Sequence, residues 1–470
     1  MNRKSLVLVA SLAPISLALA GCNMAPKYVR PQLPVPAAAP EGSAYAPSGE
    51  VSATALADTA WRDFFTDARL RDVIALSLES NRDLRLALAN VEQARAQYRV
   101  QRADIFPTIG ASGSAVAQDT PASVGGGGRA DTFSASAGIS AWEIDLFGRV
   151  RNLSKAAQEQ FFAVEENRKA TQTALVAEVA TAWLTMAADQ ERLGVARKTA
   201  AAFQKTVDLT QARLRAGIAS ELEVRQARTS LDRATADIAA LTTQVAQDQN
   251  ALNLLAGTTV PTELLPSALP SSGATLGQLP ADLPSEVLLR RPDVVAAEHR
   301  LIAANANIGA ARANFFPRIS LTAALGTISM GLSNLFSAGS DTWSVGGAAD
   351  VSIFDFGRKA GNLDAAKAQR DWMVAQYEKT LQTAFREVAD ALARRGTIDD
   401  QLKAQRSLME NASATYRLSE ARFRAGIDGF LTTLDSQRAQ YAAEQELVAT
   451  RLIREANAVE LYRALGGGLR

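Results

Sequence analysis

Residues 212–218 read ARLRAGI, and residues 421–427 read ARFRAGI. The phrase recurs 209 residues on. Each copy ends a long tract rich in Ala, Leu, Gln, Glu and Arg, residues that favour helix. No proline interrupts either tract: none lies between 122 and 260, and none follows 317. In the first tract, Leu175, Val179, Ala182 and Met186 step by fours and threes, as do Phe203, Val207, Thr210 and Leu214. That spacing makes the apolar seam of coiled-coil packing. A helix over 149–215 would be roughly 100 Å long, beyond any ordinary globular core. Its counterpart is 358–424. Gly217 and Gly426 stand where such a helix would end. A second helix then returns, over 221–256 or 430–465. The repeated phrase marks the tip of a helical hairpin, made twice.

The repeat runs beyond the tips. Ile105-Phe106-Pro107 matches Phe315-Phe316-Pro317, and the Phe-Gly-Arg of 147–149 matches that of 356–358. Leu252 and Gly257 match Leu461 and Gly466. The chain is a tandem duplication, which predicts two equivalent structural units. Its halves are 67–257 and 284–470, joined by a proline-rich linker at 258–283 (Pro261, Pro266, Pro270, Pro280).

Between Phe-Pro and Phe-Gly-Arg the period changes to two. Phe133, Ala135, Ala137, Ile139 and Ala141 alternate with small polar residues, and Trp343, Val345, Ala349, Val351 and Ile353 share a side in the second half. Strands are expected at 108–118, 132–142, 318–328 and 342–353, about ten residues each, the length of transmembrane β-strands. Phe106, Trp142, Phe147, Phe315, Phe316 and Phe356 bracket them as an interfacial girdle would. Four strands cannot close a barrel, and an open edge in lipid leaves backbone groups unsatisfied. The chain must therefore oligomerise if the strands span a membrane. Two copies would give eight strands and three would give twelve; the periodicity does not choose.

The 470 residues carry 50 basic and 49 acidic groups, a net +1, which argues against nucleic acid as a partner. One cysteine and one histidine exclude internal disulfides and leave no histidine/cysteine metal site. Residues 1–21 read as a signal peptide: a basic start, a short apolar run, then Leu19-Ala20-Gly21 before Cys22. That arrangement resembles the bacterial lipobox, in which the cysteine is acylated; Cys22 is the candidate lipidation site, and a covalent lipid there is the only prosthetic group expected. Asn23 rather than aspartate favours the outer membrane. The segment 22–66 reads as a lipid-anchored, proline-rich N-terminal segment, within which 26–47, with Pro26, Pro31, Pro34, Pro36, Pro40 and Pro47, is an extended tether. No catalytic or metal-binding motif stands out: Gly125–Gly128 lacks the Lys-Ser/Thr of a phosphate loop, and His299 has no partner motif.

Two copies of helix, strand pair and helical hairpin, a lipobox, Phe-Pro before the strands and Phe-Gly-Arg after them resemble the TolC/OprM family of outer-membrane efflux channels, in its lipoprotein (NodT-type) branch. Residues 61–84 and the C-terminal LYRALGGG also look like that branch. The resemblance implies an α+β membrane protein, a homotrimer with a twelve-stranded β-barrel continued by a long α-helical barrel and a mixed equatorial region. It implies an exit duct for drugs and other small toxic compounds, a periplasmic adaptor and an inner-membrane RND pump as partners, and contact with outer-membrane lipid. Metal ions or secreted protein are alternative cargo in the same fold, and a structural lipoprotein without a pore is a reading of another class.

The halves differ at one informative place. After ARFRAGI come Asp428, Leu431, Asp435 and Arg438, on one helical face. Their counterparts are Ala219, Leu222, Gln226 and Thr229. The resemblance puts the four second-half residues at a channel gate. Read by spacing alone, Asp428 caps the returning helix, while Asp435 and Arg438 form a solvated pair. The tips themselves, Arg213, Arg215 and Gly217 with Arg422, Arg424 and Gly426, are candidates for docking the adaptor, or else cations placed favourably at helix C-termini.

Overall fold

A computed structural model describes residues 23–37, 40–45, 58–121, 127–276 and 285–467. Cys22, the signal segment and the prolines at 280 and 284 lie outside the described residues. In chain order the main elements are α1 (Ala68–Ser80), α2 (Arg82–Ala103), β1 (Ile109–Thr120), β2 (Gly128–Glu143), α3 (Arg149–Arg215), α4 (Glu221–Ala256), α5 (Pro292–Ala313), β3 (Arg318–Ser329), β4 (Asp341–Asp350), α6 (Arg358–Arg424) and α7 (Phe430–Ala464). No described helix is long and apolar enough to cross a membrane.

The chain gathers into two compact units, and each draws on both repeats. One holds the described residues up to Gln32 with Asn90–Glu165 and Ala296–Tyr377. The other holds Leu33–Ala89, Glu166–Val295 and Glu378 onward.

The first unit contains one antiparallel sheet in the order β1-β2-β3-β4, with β1 and β4 at its edges. Ser112 faces Ser136 and Ser114 faces Ser134, and both pairs share a hydroxyl hydrogen bond, at 3.0 and 2.8 Å. Strand ends are set by partners rather than by alternation. β2 begins at Gly128, opposite Thr120, four residues before the expected start. β4 stops at Asp350, opposite Arg318, because Pro317 has no N–H with which to extend the ladder. A bulge between Ile139 and Trp142 holds Ala141 at φ +48°. It takes up one extra residue: paired positions in the two strand pairs lie 210 apart (Ile109↔Ile139, Ile319↔Ala349), whereas the Phe-Gly-Arg motifs lie 209 apart.

At the strand-to-helix junctions, Asp145 Oδ2 accepts from the Arg151 N–H at 2.8 Å, and Asp355 Oδ2 accepts from the Lys359 N–H at 3.1 Å. Each carboxylate satisfies donors that the first helical turn leaves free. Phe147 stacks on Phe316 at 4.5 Å, joining the junction of one repeat to the Phe-Pro of the other. His299 lies against Phe162, and its Nδ1 is 2.6 Å from the buried carboxylate of Glu159, which also holds Lys155.

The expected tether is extended but not free. Residues 23–30 lie along α5: Asn305 donates to the Pro26 carbonyl at 2.7 Å and Arg312 to that of Met24 at 3.3 Å. Arg30 grips Glu298 through two bonds of 2.8 Å, and the Tyr28 hydroxyl adds a third at 2.9 Å. Gly309 makes room for this strap, since a Cβ there would sit 2.7 Å from the Ala25 nitrogen.

The second unit is built around the two hairpins. The stripe read from sequence turns inward: Leu175, Val179, Met186, Phe203, Val207 and Thr210 are buried, while Ala182 and Leu214 are part-buried. Phe203 and Val207 of α3, Ala227 and Ala234 of α4, Phe423 of α6, and Phe430 and Leu434 of α7 form one apolar cluster, so both hairpins share a seam. The described part of the linker is also packed. Thr66 and Leu276 exchange backbone bonds with Ala274 and Phe64, Trp183 donates to the Leu264 carbonyl, and Glu455 receives the Ala274 N–H. Phe64 stacks on Tyr462 at 4.0 Å.

Candidate functional site at the hairpin tips

Both tips turn in the same way. Gly217 (φ +74°) donates to the Leu214 carbonyl at 2.9 Å, and Ile218 donates to that of Arg213 at 3.0 Å. Gly426 (φ +71°) donates to Phe423 at 3.0 Å, and Ile427 donates to Arg422 at 2.9 Å. This paired closure satisfies the last helical carbonyls and requires the left-handed conformation that glycine adopts without steric cost. It leaves Ile218 and Ile427 exposed at the two ends.

The return helices start differently. In the first hairpin the Ser220 hydroxyl accepts from the Glu223 N–H, and the Glu223 carboxylate accepts from the Ser220 N–H at 2.9 Å, a complete capping box. In the second, Gly429 occupies the cap position and no side chain caps it. Asp428 therefore does not cap α7. It faces back across the turn to Arg422, with Nε–Oδ2 at 2.7 Å and Nη2–Oδ1 at 2.9 Å. That bidentate pair holds the Asp428 carboxyl below the usual range and raises the Arg422 guanidinium.

The four residues expected on one face of α7 thus divide. Asp428 belongs to Arg422. Asp435 is 3.4 Å from Arg438, whose Nε also donates to Ser230 of α4 at 2.9 Å, linking the two hairpins. Leu431 lies exposed between the two charge pairs, while its neighbours Phe430 and Leu434 fill the seam. Beside Arg438 is a groove of about 520 Å³ lined by Phe203, Ser230, Arg233, Asp237 and Tyr441 among others. There the Tyr441 hydroxyl donates to Asp237 at 3.0 Å, and burial followed by that bond raises its pKa.

The tip arginines also have separate duties. Arg213 lies over the Phe423 ring of the other hairpin at 4.6 Å. Arg422 serves Asp428. Arg424 pairs with Glu420 one turn back, on the surface, and Arg215 is exposed. Sequence reading missed these couplings. The Ser220-x-x-Glu223 pattern was there to be read as a cap; the Arg213–Phe423 and Arg438–Ser230 contacts, between residues about 210 apart, carry no local signal.

An open four-stranded sheet of membrane-strand length and two long helical hairpins meeting at their tips define an outer-membrane channel protein with a periplasmic helical extension. The chain belongs to the outer membrane efflux protein family, whose model matches residues 73–258 and 283–467, once per repeat. It is similar to the solvent efflux pump outer membrane protein SrpC of Pseudomonas putida, 44% identical over 470 residues, covering 100% of this chain and 99% of that one. It also resembles the probable efflux pump outer membrane protein TtgC of Pseudomonas putida, 46% identical over 461 residues, 97% and 95% of the two chains. Among solved structures, the open state of the MtrE outer membrane channel of Neisseria gonorrhoeae superposes with a TM-score of 0.86 at 36% identity, over 96% of this chain and 99% of that one. The protein is accordingly an outer-membrane component of an efflux pump.

Proposed function

We propose that the protein works as a homotrimeric exit duct for small lipophilic toxic compounds, fed by a periplasmic adaptor and an inner-membrane RND pump. The observation that carries this reading is the open four-stranded sheet. Its edge strands β1 and β4 need partners in lipid, and three chains supply twelve strands. Relatives named for toluene, solvent and antibiotic efflux support the cargo class. Acylation of Cys22 would anchor each chain, and several acyl chains hold where one is marginal.

Asp428, Leu431, Asp435 and Arg438 form the gate. In a trimer, leucine and carboxylate rings would converge on the axis. Like charges repel there unless paired, and Arg422 and Arg438 offset them within each chain. Arg215, Arg424 and the glycine turns at Gly217 and Gly426 present the docking ends, while Arg213 and Arg422 hold those ends in shape. Deleting the gene should raise accumulation of a lipophilic fluorescent dye, and the intact gene should restore efflux. Equal accumulation in a strain lacking other outlets would refute the cargo assignment.

A further inference from the structure

The two strand-to-helix junctions do not match. In the first repeat the arginine of Phe-Gly-Arg is neutralised: Arg149 forks onto Glu143, with Nε–Oε1 at 2.8 Å and Nη2–Oε2 at 2.6 Å. Trp142 beside it reaches back to its own Phe-Pro turn and donates to the Ile105 carbonyl at 3.2 Å. The equivalent residues of the second repeat are Arg358, Ser352 and Val351. Both the carboxylate and the indole are gone. In their place is a pocket of about 590 Å³, lined by Asn314, Arg318, Asp350, Ser352, Arg358 and Lys359 among others.

Further differences add to its charge. Asn314 stands for Asp104, Arg318 for Thr108 and Lys359 for Val150. Relative to the first repeat, the lining has lost two acids and gained two cations. Arg318 donates to Asn314 Oδ1 and Lys359 to the Ser352 carbonyl, both at 3.1 Å and both neutral acceptors. Among the described residues, none of Arg318, Arg358 and Lys359 forms an ion pair. Asp350, opposite Arg318 in the ladder, is the one acid of the lining. Asp355 is taken up by the backbone, accepting from the Gly357 N–H at 3.2 Å and the Lys359 N–H at 3.1 Å. Three cations around one cavity repel one another, and an anion among them relieves that repulsion.

We propose that this pocket is an oxyanion site, in which Arg318, Arg358 and Lys359 hold the phosphate, sulfate or carboxylate group of a solute or of a lipid headgroup. Guanidinium and ammonium groups are the side chains suited to such oxygens. Asn314, whose Oδ1 takes the Arg318 bond, keeps its amide nitrogen as a further donor. Arg318 lies on the side of β3 that carries Ser320 and Thr322, opposite Ile319 and Leu321. In the proposed barrel that polar side faces the lumen, so a dissolved anion reaches the pocket without crossing lipid. Only this orientation rests on the barrel; anion binding by the pocket of one chain does not.

The test uses the full-length protein in a neutral detergent at low ionic strength. Inorganic phosphate, titrated in by calorimetry, should bind saturably. Ser352→Glu returns the acid of the first repeat, and Lys359→Val returns its apolar residue; each should weaken binding about tenfold or more. Arg129→Gln, at the far end of the sheet, should leave it unchanged. No saturable binding by wild type, undiminished binding by both pocket variants, or an equal loss in Arg129→Gln would overturn the proposal. The two pocket variants are independent, so one that fails to assemble leaves the other to decide. Adding phosphatidylglycerol to the micelles separates the sources: displacement of phosphate identifies a lipid headgroup as the occupant, and retention of phosphate identifies a dissolved anion.

Discussion

The strap that follows Cys22 should come loose when Glu298 is replaced by alanine. Glu298 is buried and accepts three bonds from the strap, two from Arg30 and one from Tyr28. Removing one partner of a fully buried ion pair costs about 3–5 kcal/mol, but an exposed pair is worth about 0–1. The Arg30 side chain is 50% exposed, so its guanidinium stays hydrated when Glu298 is lost, and the ion pair belongs near the lower figure. The half-buried Tyr28 hydroxyl loses its acceptor, at about 1 kcal/mol. Together these give about 2 kcal/mol for local opening, or about thirtyfold in the opening equilibrium.

Trypsin reads that opening directly. Lys27 lies within the strap, and Pro31 shields Arg30 from cleavage. When the strap recloses faster than it is cut, the rate follows the open population. Cleavage after Lys27 in Glu298→Ala should therefore be about thirtyfold faster than in wild type, measured by mass spectrometry of the released N-terminal peptide. A rate within about twofold would refute the assignment of strap stability to this cluster. Gly309→Ala should act in the same direction for a different reason. Alanine normally improves a helix interior by about 0.5–1 kcal/mol, yet here its Cβ would meet Asn152 Nδ2 at 2.6 Å and the Ala25 nitrogen at 2.7 Å.

Three further outcomes follow from the geometry. Asp428→Ala combined with Asp435→Ala should raise single-channel conductance in a planar bilayer, and unchanged conductance with an intact trimer would remove these residues from the gate. Because Arg422 keeps the Asp428 carboxyl below its ordinary range, that pair should persist through neutral and mildly acid pH and weaken only as pH falls through the lowered value, which conductance against pH would show. Gly257→Ala should cost well over 2 kcal/mol in chemical denaturation, since a left-handed backbone (φ +71°) combines with a Cβ only 2.3 Å from the Ser80 carbonyl oxygen; its repeat counterpart Gly466, with nothing nearer than 3.5 Å, should cost only about 1–2 kcal/mol from its conformation.

The hairpins were legible because their signals are local. A proline-free amphipathic tract, a glycine in the left-handed region and a second tract define each one without reference to the rest of the chain. The sheet was legible in kind but not in extent. Alternation runs on through Val351 and Ile353, whereas β4 ends where its neighbour reaches Pro317. The proline-rich stretches were correctly excluded from helix, but proline spacing says nothing of what a segment lies against. The strap on α5 and the linker against Trp183 and Glu455 are long-range contacts. At the tips, sequence showed which charges differ between repeats but not their pairings. Arg422 and Asp428 are six residues apart across a turn, and only the turn's geometry brings them face to face.

That difference has a physical direction. The two hairpins share a tip, but where the first has Ala219-Ser220 the second has Asp428-Gly429. In the first hairpin, the helix start is secured by a serine and a glutamate that bind backbone N–H groups, contacts that neighbouring charges cannot easily replace. In the second, the start is uncapped, and the turn is held by a solvent-facing ion pair instead. Such a pair is weakened by salt and can exchange partners with any charged surface brought against it. The second hairpin is thus the one whose tip can reorganise without breaking its apolar seam, because Phe423, Phe430 and Leu434 pack below the pair and do not depend on it. A docking partner that competed for Arg422 would free Asp428 while leaving the hairpin folded, which is what an opening step requires of the element that moves.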